Sequence, residues 1–396
     1  MTSPVDEGRL LPRQAAVPMP EPEPLDESSV RPARPAPPVS RRPGKRRLYV
    51  LDGLRLVAAL MVVMYHYVGY NRTFNWGKNT AVVFPTAHRF AIYGWLGVYL
   101  FFLISGFVIC MSCWGRTPRQ FMVSRFVRLY PAYWVALILT SAVLWLRPGG
   151  SKLRLTDVLT NATMVQEGLG VGNVDGVYWS LWAELRFYLL FAVVVVMGLT
   201  YRRVISFCII WMVAAVFAEQ THNDLVTMVA DPDSAAFFIG GVAIYLMYRF
   251  GSRPELWLLI VASWLLGQFQ MDGLVSHASS VAKNHISWTL SMVLVTSFYL
   301  VVIASALGKL DFFNWRWLTV AGAMTYPLYL IHEATGWEII RHARGHVSPY
   351  LLLGSLTAGM LVLAYLIHRL IEQPASRWLK NWLTPAPPAK PSSPAA

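Results

Sequence analysis

Two ionisable side chains share one apolar stretch: Arg55, in Leu51-Asp52-Gly53-Leu54-Arg55, and His66, eleven residues further on. In a helix, eleven steps turn through about 1100°, close to three full turns, and rise roughly 16 Å. The two side chains therefore share a face at different depths. A guanidinium suits an anionic phosphate through forked hydrogen bonds, and an imidazole suits proton transfer near neutral pH. A plainer reading is also open, in which Arg55 pairs with Asp52 one turn away and His66 only bridges two helices.

Further polar residues recur in the same setting. Ser105-Gly106-Phe107 interrupts a second apolar segment, and Arg125 and Arg128 follow it one turn apart, ahead of Pro131. A fourth segment opens Trp179-Ser180-Leu181-Trp182-Ala183-Glu184, with Arg186 close behind. Glu184 is expected at the depth of His66, where a carboxylate would orient an imidazole and stabilise its charge. Tyr326, Tyr329 and His332 recur every three residues and can line one side of a helix. The tyrosines also read as an aromatic packing face, with a kink at Pro327. Glu372-Gln373-Pro374 reads as a helix stop with an interfacial charge.

These residues need membrane-spanning helices to position them. Of the 396 residues, 55% are hydrophobic and only 14% charged, whereas a soluble domain is about a quarter charged. Ionisable groups inside such segments are costly, so each is a functional candidate. Ten segments approach the span length of about 20 residues: 48–69, 91–113, 129–147, 179–200, 204–219, 234–249, 255–271, 286–308, 317–338 and 349–371. The predicted fold is an all-α membrane protein with about ten helices in one bundle. Residues 1–47 are predicted to be a disordered, Pro/Arg-rich cytoplasmic tail without a signal-peptide pattern. The spans occupy 48–380, and 381–396 form a second short tail.

The net charge of +13 belongs largely to this topology rather than to nucleic acid, for which no motif is present. Arg41, Arg42, Lys45, Arg46 and Arg47 precede the first span, and Arg116, Arg119, Arg125 and Arg128 follow the second. Such clusters hold loops inside and meet anionic lipid headgroups. The expected placement is a multi-pass cell-membrane protein with both termini cytoplasmic. Cys110, Cys113 and Cys208 lie in apolar segments with no second pair to complete a zinc site, so no metal is expected.

Taken in order, the motifs resemble the acyltransferase-3 family of bacterial membrane O-acyltransferases. The similarity runs over about 48–380: L-D-G-L-R-x10-H at Leu51 to His66, the glycine- and phenylalanine-rich run from Gly94 to Phe107, R-x-x-R-x-x-P at Arg125 to Pro131, W-S-L-x-x-E-x-x-F-Y at Trp179 to Tyr188, Y-x-x-Y-L-x-H at Tyr326 to His332, and E-x-P at Glu372 to Pro374. Many relatives carry Glu-Glu-Gln where this chain has Glu184-Leu185-Arg186. The resemblance implies an acyl-CoA co-substrate, usually acetyl-CoA, no permanently bound cofactor, and a hydroxyl acceptor such as a glycan or a small molecule. On that reading Arg55, Arg125 and Arg128 hold the CoA phosphates. His66 is the base, or is itself acylated, and Glu184 orients it. Ser105, Trp179, Tyr326, Tyr329 and His332 are candidate substrate-lining residues. A secondary transporter or a non-catalytic glycan-export partner is the competing class. A transporter would be expected to show related halves, which the sequence lacks; a partner would not need His66.

Overall fold

A computed structural model describes residues 48–71, 73–147 and 153–383. The predicted N-terminal tail and most of the C-terminal one lie outside them. Among the described residues, nine helices are long and apolar enough to cross a membrane. Each of the ten predicted segments coincides with a helix, and several predicted short run long: 204–219 lies within Tyr201–Thr221 and 255–271 within Pro254–Ala282. The ninth, 317–338, is the exception in length and continuity. Its apolar helix, Leu318–Ile331, has only 14 residues, and a second helix, Glu333–Ala343, starts beyond His332. The span predicted at 317–338 is thus a broken helix rather than a continuous one.

The break is held by side chains. Nδ1 of His332 donates to the Tyr329 carbonyl at 2.8 Å, and the His332 carbonyl accepts from the Tyr67 hydroxyl at 2.9 Å. A discontinuity at membrane depth is tolerable where neighbouring helices satisfy the freed groups in this way. Facing it, the first helix, α1 (Tyr49–Met64), passes into a π-helical turn, Tyr65–Gly69, that contains His66. Such turns occur frequently at functional sites.

The remaining elements close around this pair. Helix α2 (Gly97–Cys113) is continuous, so Ser105-Gly106-Phe107 does not interrupt it as expected. Gly106 instead permits contact with the helix Pro232–Phe250. A Cβ on Gly106 would lie 2.2 Å from the Phe238 carbonyl oxygen, and one on Gly241 would lie 2.0 Å from that of Leu103. Backbones approach this closely in membranes because dispersion contact, not hydrophobic exclusion, holds the helices together. Helix α3 (Pro118–Trp145) opens on a Thr117–Gln120 capping box with proline in its first turn, which places Arg125 and Arg128 about two and three turns inside it. The terminal helix, Gln373–Leu383, lies along α3: Ser376 donates to the Val127 carbonyl at 2.8 Å, and Arg119 donates to that of Leu383 at 3.2 Å. Residues 381–383, predicted as tail, belong to this helix. Outward-facing Ile138, Val193, Ile210, Leu258 and Leu300 are exposed, as lipid-facing positions should be.

Candidate active site

The Arg125–Arg128 end of the bundle opens into a cavity of about 670 Å³. Arg55, Arg116, Arg125, Arg128 and Lys380 line it, with Glu184 as the only carboxylate among the lining residues. Arg128 is anchored by Glu372 at 2.8 Å, and Glu372 also takes His368 Nδ1 at 2.9 Å. Arg125 lies over the Tyr188 ring, 5.9 Å from its centroid. Arg55 is different. Its Nε is buried and, among the described residues, has no hydrogen-bond partner. A buried donor left unmade costs about 1–3 kcal/mol, more when charged, so an acceptor placed in the cavity beside Arg55 would be favoured.

The cavity narrows to a slot of about 60 Å³ that shares Arg55, Ser105, Glu184 and Tyr326 and adds Phe101, Ser180 and Tyr329. Here Ser180 Oγ and the Tyr329 hydroxyl are 2.6 Å apart. Tyr326 donates to the Leu129 carbonyl at 3.1 Å. Beyond Tyr329, whose ring centroid is 5.7 Å from that of His332, come the two histidines.

Their protonation follows from their partners. His332 gives its Nδ1 proton to Tyr329, which leaves Nε2 as an acceptor. That nitrogen is 3.0 Å from His66 Nδ1, and the Val62 carbonyl is 2.9 Å from the same atom. Two acceptors place a proton on His66 Nδ1. His66 Nε2 is then the basic nitrogen, and it faces Glu333 Oε1 at 3.8 Å. The Trp337 indole donates to the His66 carbonyl at 2.8 Å and fixes the turn.

Glu333 has a second acid behind it. Asp175 is 1% exposed and accepts from the backbone of Val177 and Ala334 at 3.5 and 3.4 Å. Burial first, and then the Glu333 carboxylate, push its pKa well above the usual carboxylate range. Two buried carboxyls this close resist ionising together, which favours a proton retained on Asp175, next to the imidazole that would become cationic. The loop that delivers Asp175 is stitched by Asn161, which donates to the Asp157 and Gly172 carbonyls and accepts from the Val174 backbone. Gly176 leaves room for the acid: a Cβ there would lie 2.6 Å from Glu333 Oε2.

The acyltransferase domain family matches residues 48–384. This chain belongs to the acyltransferase-3 family. The chain is 25% identical over 363 residues to nodulation protein 10 of Rhizobium leguminosarum bv. viciae, covering 82% of this chain and 92% of that protein, so the likeness spans most of both. Two others are partial. Acyltransferase MdmB of Streptomyces mycarofaciens is 29% identical over 37% of this chain and 38% of its own length. Peptidoglycan O-acetyltransferase OatA of Listeria monocytogenes is 32% identical over 23% of this chain and 13% of its own. No solved structure matches the chain.

Within this acyltransferase bundle the predicted residues divide into two groups. Arg55, Arg125, Arg128, Ser105 and Tyr326 meet at the basic cavity, with Tyr329 at the end of the slot; His66 and His332 meet beyond it. Glu184 was expected beside His66, but its Oε1 accepts from Ser105 at 2.8 Å and from the Tyr188 hydroxyl. It belongs to the Arg55 end. The reason is register: Ser180 is already level with Tyr329, and four residues lower the chain by about 6 Å. Trp179 lines neither the cavity nor the slot; it is 37% exposed and packs edge-on against Phe102. Glu333 and Asp175 were missed. Glu333 could have been found as the ionisable neighbour of His332, whereas Asp175 lies in a loop with no local signal.

One consequence is directly testable. Gly176→Ala must displace the Glu333 carboxylate. The expected result is a turnover lowered by up to about 100-fold, the scale of a 1 Å misplacement, with donor affinity unchanged. Steady-state kinetics at saturating donor would reveal it; an unaltered turnover would mean that the position of Glu333 is immaterial.

Proposed function

We propose that the protein transfers an acyl group, acetyl in the simplest case, from acyl-CoA to the hydroxyl of a glycan or secondary metabolite. The observation that carries the donor assignment is the buried, unpartnered Nε of Arg55 in a cavity with five cationic side chains. CoA offers phosphates to those cations. The names of two partial relatives, an acyltransferase and a peptidoglycan O-acetyltransferase, support an oxygen acceptor. The Lys/Arg distribution supports a cytoplasmic basic cavity, both termini cytoplasmic and a cell-membrane location.

In the proposed step, the acceptor oxygen attacks the thioester carbon while its proton passes to His66 Nε2. The new C–O bond forms and the C–S bond breaks. The proton on His66 then returns to the departing CoA sulfur, so the protein ends unchanged. Glu333 stabilises the imidazolium, and His332 holds the tautomer by accepting at its Nε2 from His66 Nδ1. Glu184 is reassigned to the donor side, where it positions Ser105 and Tyr188 near Arg55.

Equilibrium binding of acetyl-CoA to the purified full chain tests the reading. Saturable binding, competed by CoA and weakened by salt, is expected. Absence of binding would remove acyl-CoA as the donor.

A further inference from the structure

On the other side of the histidines is a second cavity, of about 400 Å³, to which no role has been given. Its size is that of a small-molecule pocket. Glu333 and Trp337 form the end nearest His66; Phe74, Arg147, Glu338 and Arg341 form the other. Two guanidiniums converge there on one carboxylate: Arg147 Nε is 3.4 Å from Glu338 Oε1, and Arg341 pairs with Glu338 Oε2. Both lie over the same Phe74 ring, at 5.0 and 4.9 Å from its centroid. Their side chains are 30% and 14% exposed, so they are partly desolvated. Behind them Arg344 donates to the Phe74 and Asn75 carbonyls at 2.6 and 3.1 Å.

The charges do not cancel. Glu338 neutralises one of the two lining guanidiniums and leaves one positive charge, with Arg344 adding to it. Desolvation, and then the like charges of Arg147 and Arg344, lower the pKa of Arg341, as expected of a cluster with excess positive charge. The opposite end carries Glu333, whose Oε1 lies 3.8 Å from the basic nitrogen of His66 just behind it. The cavity is therefore polarised along its length: cationic at the Arg147–Arg341 end, and an anion with a proton acceptor at the other.

We infer that this cavity binds the acceptor, and that the acceptor is a hydroxyl compound carrying an anionic group, carboxylate or phosphate. The anion sits on Arg147 and Arg341, and the hydroxyl is presented to His66 across the face of Trp337. An acceptor bound the other way round would set its anion against Glu333. The inference rests on the acyl-transfer reading for the hydroxyl's fate, but not for the anion's place.

The test uses the full chain with Leu144→Cys, a partly buried residue of the cavity wall one turn from Arg147. A sulfonate-bearing methanethiosulfonate should label it faster than a trimethylammonium-bearing one. Adding Arg147→Gln and Arg341→Gln should shift that ratio by about tenfold towards the cationic reagent, the lower end of electrostatic steering effects. Glucuronate or glucose 6-phosphate should slow labelling at concentrations where glucose does not, and the better of the two identifies carboxylate or phosphate. Faster labelling by the cationic reagent in the otherwise unaltered chain would overturn the inference. So would equal protection by glucose, or protection by neither acid. Acetyl-CoA binding to each variant is measured alongside: retained binding shows that the variant is folded. Binding without anion preference sinks the acceptor site alone; anion preference without binding sinks the donor reading alone.

Discussion

Replacing His66 with alanine is expected to lower acyl transfer by about 10²–10⁴-fold, the contribution of a positioned general base, while acetyl-CoA binding stays within about twofold. The two effects separate because the residues sit at opposite ends of the slot. His66 has its neighbours at the break in the ninth span, and the cationic cavity begins at Arg55. His66→Gln cannot substitute as a base and should fall with alanine. Transfer rates at saturating donor, beside equilibrium binding on the same preparation, check both halves. Near-normal turnover would pass the role of base to His332, which is fully buried and bonded to His66.

The second large effect is expected at the other end. Arg55→Ala should weaken acetyl-CoA binding by tenfold or more, since a charge-assisted hydrogen bond is worth roughly 1.5–3 kcal/mol. Because Nε of Arg55 has no hydrogen-bond partner among the described residues, the substitution breaks no hydrogen bond at that atom and is expected to lower thermal stability less than the loss of a hydrogen-bonded buried ion pair would. Arg128→Ala offers the contrast: it removes the guanidinium paired with the buried Glu372 and leaves that carboxylate only His368, so it should lower stability as well as affinity. Calorimetric binding and thermal unfolding in the same detergent distinguish the two. Unchanged CoA affinity in Arg55→Ala would make that arginine structural.

How much of this was legible in the sequence depended on whether the signal was local. Arg55, His66, Arg125 and Arg128 announced themselves because a charge in or beside an apolar run is expensive, and their helices are regular enough for spacing to imply depth. The same reasoning misplaced Glu184, because it fixed the depth of the fourth span from its aromatic start at Trp179, whereas the packing of Ser180 on Tyr329 sets the register. The break at His332 was hidden by continuous apolar composition on both sides of Pro327. Glu333 and Asp175 are 158 residues apart in the chain. Only the loop held by Asn161 and the broken helix bring those two acids together behind His66.

The central claim is that one chain takes an acyl group from a donor held at Arg55 and passes it to oxygen at His66. Purified protein in proteoliposomes, given acetyl-CoA labelled in its acetyl group and an extract of host glycans and metabolites, tests it most directly. The account expects label to appear in hydroxylamine-labile esters with the unaltered chain, and about 10²-fold less or none with His66→Ala. Absence of ester with the unaltered chain, or equal ester formation by His66→Ala, would contradict it.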